Sequence, residues 1–182
     1  MKNYEKLRGM QVSASSLIDI LKNSDYQLEA PINIDKIIDI LEIPVNKKPN
    51  FRKSKITGII SMKNGSPEIW INPMMNQNKE RERFTLAHEL GHFMLHIAPS
   101  FEDYDREDKD IEFNRDSNWD IQEMEANRFA AELLMPTEFI KQEVKNLDPA
   151  ENKENKLERL ATTFNVSKQA IKYRLQSMRI EL

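Results

Sequence analysis

Cysteine is absent from all 182 residues, which excludes disulfides, thiolate-ligated zinc and iron–sulfur clusters together. No apolar run approaches the roughly 18 residues that a membrane span needs. The first residues, MKNYEKLRGMQVSASSLIDIL, are charged and offer neither a long apolar stretch nor a small-residue cleavage site, so they do not read as a secretion signal. An excess of basic charge is missing too, since 27 Lys+Arg stand against 30 Asp+Glu for a formal net charge of -3. That balance argues against a surface given over to nucleic acid, while leaving room for a local basic patch. The expectation is a soluble, cytoplasmic protein without a membrane partner. With 39% hydrophobic residues the chain can bury a real core, and its length fits one domain with a small appendage.

Leu17, Ile18 and Leu21 within 15–22 recur at helical spacing, as do Ile34, Ile37, Ile38 and Leu41 between Pro31 and Pro44. Residues 56–62 (ITGIISM) and 68–72 (EIWIN) are β-branched and aromatic, and Asn64-Gly65 between them signals a hairpin. The helical pattern returns from Lys79 to His96, with Phe84, Ala87, Gly91 and Leu95 near one stripe. Residues 98–120 carry Asp or Glu at nine positions and read as a solvated surface loop, with steering of a basic substrate as the functional alternative. Helices are expected over 121–135, ending at Pro136, and over 137–146, and then as a pair around Asn165-Val166-Ser167. The class is α+β, a small antiparallel sheet packed on helices. Residues 1–147 form the main domain and 148–182 a helix-turn-helix-like end.

All three histidines fall within nine residues, at 88, 92 and 96, and two of them bracket the string His88-Glu89-Leu90-Gly91-His92. Residues four apart on a helix lie nearly in line, about 6 Å along the axis, so both imidazoles can meet one ion. Neutral imidazole nitrogens suit zinc, and a catalytic zinc keeps one position open for water. Glu89, next to the first histidine, is placed to take a proton from that water. The plain alternative makes His88 and His92 polar residues on a helix face. Against it, Gly91 costs a helix interior about 1 kcal/mol relative to alanine, which suggests something packing tightly there.

A third ligand is required. His96 lies about 12 Å up the axis from His88, too far for one ion to join both side chains easily. The helix DIQEMEANRFAAELLMP is the better source, with Glu123, Asn127 and Ala130 on one face and small Ala126, Ala130 and Ala131 allowing close approach. Glu123 can ligate while Asn127 orients a ligating histidine. Glu123 can equally close a capping box with Asp120. Glu125 reads either as a ligand or as a solvated partner of Arg128. His96 reads as a ligand or as a structural hydrogen bond near the site.

The run Arg83-Phe84-Thr85-Leu86-Ala87-His88-Glu89-Leu90-Gly91-His92, followed by Glu123-Met124-Glu125-Ala126-Asn127-Arg128-Phe129-Ala130-Ala131-Glu132-Leu133-Leu134-Met135-Pro136, resembles the ImmA/IrrE family of metallo-endopeptidases. The likeness spans roughly residues 15–180. It implies a zincin-like fold, a Zn2+ cofactor held by His88, His92 and Glu123, and Glu89 as general base. It also implies a substrate, a helix-turn-helix transcriptional repressor whose cleavage releases genes of a mobile element or stress response. An N-terminal helix-turn-helix of its own is not expected in this chain, so the repressor is expected to be a separate protein. In zincins an edge strand beside the metal helix commonly pairs with extended substrate. Glu68, Ile69, Trp70, Ile71 and Asn72 are the candidate for that role, against an ordinary sheet strand.

LATTFNVSKQAIKYRL looks like a helix-turn-helix with Ser167 as the cap of its second helix. Lys168, Lys172, Tyr173, Arg174 and Arg179 there fit phosphate contact, or a solvated helix packed through Ala170, Ile171 and Leu175. The alternative function follows from the first of these: a DNA-binding or repressor-binding regulator whose metal site is structural or vestigial. Tyr104, Tyr173 and Arg128 are candidates to stabilise an oxyanion.

Overall fold

The structure is a computed structural model that describes residues 2–24, 26–109 and 121–182, and of residues 104–109 the backbone alone. Among the described residues the regular elements run α1 (Ala14–Asn23), α2 (Ile34–Leu41), β1 (Val45–Asn46), β2 (Ile56–Lys63), β3 (Ser66–Ile71), α3 (Lys79–His92), β4 (Tyr104–Lys109), α4 (Ile121–Leu134), α5 (Thr137–Lys145), α6 (Lys153–Phe164) and α7 (Lys168–Ser177). The class is α+β, as the periodicity implies. No described helix is long and apolar enough to cross a membrane.

The first two helices begin on side-chain caps. Ser13 accepts from the Ser16 amide at 3.1 Å and Asn33 from the Lys36 amide at 3.0 Å, each satisfying a donor the helix cannot, for about 1 kcal/mol. Their apolar stripes, Leu17, Ile18 and Leu21 on α1 and Ile34, Ile37, Ile38 and Leu41 on α2, are buried. The hairpin pairs β2 with β3 from Gly58↔Ile71 to Lys63↔Ser66. Asn64 and Gly65 turn it with φ of 52° and 73°, and two successive positive φ values are what a two-residue type I′ turn requires.

The sheet order is β1-β3-β2-β4, and it corrects two expectations. β1 pairs parallel with β3, Val45↔Ile69 and Asn46↔Trp70, a short addition to the expected antiparallel sheet. The stretch Glu68–Asn72 is therefore not a free edge for substrate. Ile69 and Trp70 have strands on both sides, Asn46 donates to Glu68 Oε1 at 3.2 Å, and the Trp70 indole donates to the Lys48 carbonyl at 2.9 Å. A two-residue strand such as Val45-Asn46 is too short to show the period of two by which strands are recognised. The second correction concerns the acidic stretch. Tyr104–Lys109 is a strand that pairs antiparallel with β2, from Ile56↔Lys109 to Met62↔Tyr104, with a register shift between Ile56 and Gly58. An edge strand pairs through its backbone, and charged side chains suit it because they discourage further pairing. Steering by this segment's charge, and the capping box at Asp120, fall outside the described residues.

α3 packs on β2 and β3 on one side and on α4 on the other, so every residue from Thr85 to His92 is buried. Past His92 the chain continues as a π-helical turn, Phe93–Ile97. At the C-terminal end Asn165 turns the chain with φ 50°, and Ser167 caps α7 by accepting from the Ala170 amide at 3.1 Å. Ile171 and Leu175 are buried. Arg174 is buried with them, its Nε donating to the Met135 carbonyl and its Nη2 to Thr137 Oγ1, both at 3.0 Å. Arg83 Nε of α3 donates to the Asn165 carbonyl at 3.3 Å, a second tie to the α6–α7 turn.

Candidate metal centre

The start of α3 is anchored by Asn78, whose Oδ1 accepts from the Arg81 amide at 2.7 Å. Two turns on, the Thr85 hydroxyl donates to Asn76 Oδ1 at 2.7 Å. Buried Asn76 in turn donates to the carbonyls of Thr57 at 2.8 Å and Asn72 at 2.9 Å. The helix is thus pinned to β2 and to the end of β3 three residues before His88.

On its other side α3 meets α4 at Gly91. A methyl group there would stand 3.1 Å from the Ala126 carbonyl oxygen, 3.1 Å from Phe129 Cδ1 and 3.2 Å from Ala126 Cα. The glycine is explained by this crossing, as are Ala126 and Ala130, both fully buried. Glu123 is carried on α4 toward the two histidines.

His88 Nε2 and His92 Nε2 lie 3.1 Å apart. Glu123 Oε2 is 3.3 Å from the first and Oε1 3.3 Å from the second. Tetrahedral zinc with bonds of about 2.0–2.1 Å has ligand-to-ligand edges of about 3.3–3.4 Å, so the three groups already stand at nearly the spacing an ion imposes. The donor chemistry agrees. His88 Nδ1 lies 3.0 Å from Asn127 Oδ1 and donates to it, which leaves the Nε2 lone pair for a metal. Lone pairs of imidazoles and a carboxylate converging on one point repel unless a cation or protons stand between them. Burial would raise the Glu123 carboxyl, but hydrogen bonds and charge interactions with His88 and His92 outweigh it and hold the group well below the usual carboxylate range. His88, His92 and Glu123 are the set among the described residues that brings three such donors together.

Glu89 is fully buried beside this cluster, against β2. His96 stays outside it, with Nε2 3.3 Å from the Gln122 carbonyl oxygen and 3.8 Å from Glu125 Oε2. Glu125 is half-exposed on the outer side of α4. Of the oxyanion candidates, Tyr173 is exposed on α7. Arg128 is exposed on α4. The Tyr104 side chain lies outside the described ones. Asn72, proposed from sequence to meet substrate, is instead a buried clamp. It donates to the carbonyls of Ile56 at 2.7 Å and Lys53 at 3.2 Å, and accepts from the Met74 amide at 3.0 Å.

Sequence reasoning missed Gly58, which touches Glu89, and the Asn76–Thr85 pair. An isolated glycine inside the strand pattern ITGIISM was the available signal, since such a glycine marks a bulge or a close approach.

Comparison with curated proteins finds no match. The family described as IrrE N-terminal-like domain matches residues 35–176, which takes in both metal-site helices, the hairpin and most of α7. On that match the chain belongs to this family of zinc metallopeptidases.

Proposed function

We propose that the protein is a zinc-dependent endopeptidase of the cytoplasm that cuts a partner helix-turn-helix transcriptional repressor and so relieves repression. The observation that carries the reading is the convergence of His88 Nε2, His92 Nε2 and the Glu123 carboxylate at 3.1–3.3 Å, beside a fully buried Glu89. His88, His92 and Glu123 hold the ion, and Asn127 fixes the His88 ring. When bound, zinc supplies Lewis-acid polarisation of a peptide carbonyl and acidifies water toward a pKa of about 7. Glu89 takes the proton from the attacking water and returns it to the leaving amine, an exchange that typically contributes 100-fold to 10,000-fold.

The choice of a repressor as substrate rests on the resemblance to ImmA/IrrE peptidases. The state of α7 supports a peptidase over a DNA-binding regulator. Arg174, part of the basic set on that helix, is buried in hydrogen bonds to the α4–α5 turn, and Lys168 is held by Glu154 at 2.8 Å and Glu158 at 3.0 Å. The test is incubation of the zinc-loaded protein with its co-encoded repressor, with and without chelator, read by mass spectrometry. Defined fragments that disappear with chelator support the reading. An intact repressor in both arms, with the site full of zinc, contradicts it.

A further inference from the structure

We propose that Gly58 of β2 is a positioning residue for Glu89, its missing side chain being the space in which the Glu89 carboxylate stands. Gly58 precedes Ile60 and Met62 on one face of β2, and both of those are buried in the core. Alternation calls for a bulky apolar side chain at 58 as well. A methyl group built there would instead overlap Glu89 Oε1, and would stand 2.7 Å from Thr85 Cγ2 and 3.0 Å from Glu89 Cδ.

Backbone conformation does not account for the glycine. Gly9 and Gly65 have φ of 80° and 73° and open space around the Cβ position, whereas Gly58 lies outside the left-handed region and is crowded. A glycine inside a strand weakens it and leaves nothing to pack, so its place here is explained by what fills the notch. The notch is also rigidly held. The Thr57 carbonyl accepts from the Asn72 amide at 3.0 Å and from Asn76 Nδ2 at 2.8 Å, while Asn76 holds Thr85 of α3. One side-chain amide therefore links the strand carrying the notch to the helix carrying the carboxylate.

Two neighbours would be struck by a methyl group, and they differ in kind. Thr85 is β-branched and tied through its hydroxyl, so it is stiff. The Glu89 carboxylate is the far end of a longer side chain and can move aside. The fold can thus survive a methyl group at 58 while the carboxylate loses its place, and a misplacement of about 1 Å can cost a reaction about 100-fold.

This inference rests on Glu89 acting as the base of the proposed peptidase. The experiment compares the parent with Gly58→Ala and with Gly58→Ala/Thr85→Ser, which removes the Thr85 methyl overlap, keeps its hydroxyl, and serves where the single variant does not fold. Each is read by zinc content, crystal structure, kcat and KM. Expected are full zinc content, histidines in place, a Glu89 carboxylate displaced by about 1 Å, and kcat down about 100-fold at a KM near the parent's, in both variants. A carboxylate that has not moved overturns the proposal, and so does a double variant with parental kcat, which would assign Gly58 to packing on Thr85. The crystal structures are read without turnover. A parent that cuts no repressor therefore fails the peptidase reading, while the position of Glu89 still decides the role of Gly58.

Discussion

Gly91 of α3 and Ala126 of α4 touch so closely that a methyl group on Gly91 would stand 3.1 Å from the Ala126 carbonyl oxygen. His88 lies three residues before Gly91 and Glu123 three residues before Ala126. The crossing of the two helices therefore sets how near the carboxylate comes to the imidazoles. Bulkier residues at this crossing would hold the two helices further apart and open the triangle.

Gly91→Ala tests that relationship. Alanine adds about 1 kcal/mol of helix propensity, but the atoms it meets are backbone and ring atoms of a packed helix, and overpacking costs about 1–3 kcal/mol. The second effect is expected to win. Urea unfolding of the metal-free variant should show a loss of about 1 kcal/mol, and a zinc titration should show weaker binding as Glu123 is pushed back. A variant more stable than the parent with unchanged zinc affinity would mean that the crossing does not limit the site.

The two acidic residues of α4 should separate cleanly. Glu123 meets both histidines, whereas Glu125, about 200° further round the helix, is half-exposed beside His96. Glu123→Ala should lose most of its zinc under mild dialysis and Glu125→Ala should keep it. Asn127→Ala should fall between them, with about 10- to 100-fold weaker binding from the freed His88 ring. Metal analysis with the order of the two glutamates reversed would move the ligand to Glu125.

Asn72→Ala addresses the strand once expected to meet substrate. The buried amide closes the β1–β2 connection through the Lys53 and Ile56 carbonyls, and leaving such groups unsatisfied costs about 1–3 kcal/mol each. Thermal unfolding should fall and KM for the repressor should hold. Parental stability with a raised KM would return Asn72 to the substrate cleft.

The contrast between Glu123 and Asn72 shows what kind of information the sequence holds. His88, Glu89 and His92 were legible because one helix with fixed geometry carries them. Glu123 was legible because its helix advertised a carboxylate, an amide and small residues at spacings of three and four. The hairpin, α1, α2 and the α6–α7 pair were legible for the same reason, as periodic apolar faces with recognisable turns. What failed depended on partners remote in the chain. Whether Glu68–Asn72 is an edge is decided by Val45 and Asn46, which are too few to carry a pattern. Whether Tyr104–Lys109 is a strand is decided by the open side of β2, and an acidic composition carries no strand period of its own. Gly58 stood in plain view, but its meaning required knowing that α3 lays Glu89 across it.

The most direct test of the account is turnover by Glu89→Gln at matched zinc content. Glutamine keeps the size of the side chain and cannot take up the proton, so zinc should bind as in the parent while repressor cleavage falls by about 100-fold to 10,000-fold. Cleavage at the parental rate by the zinc-loaded variant would contradict it.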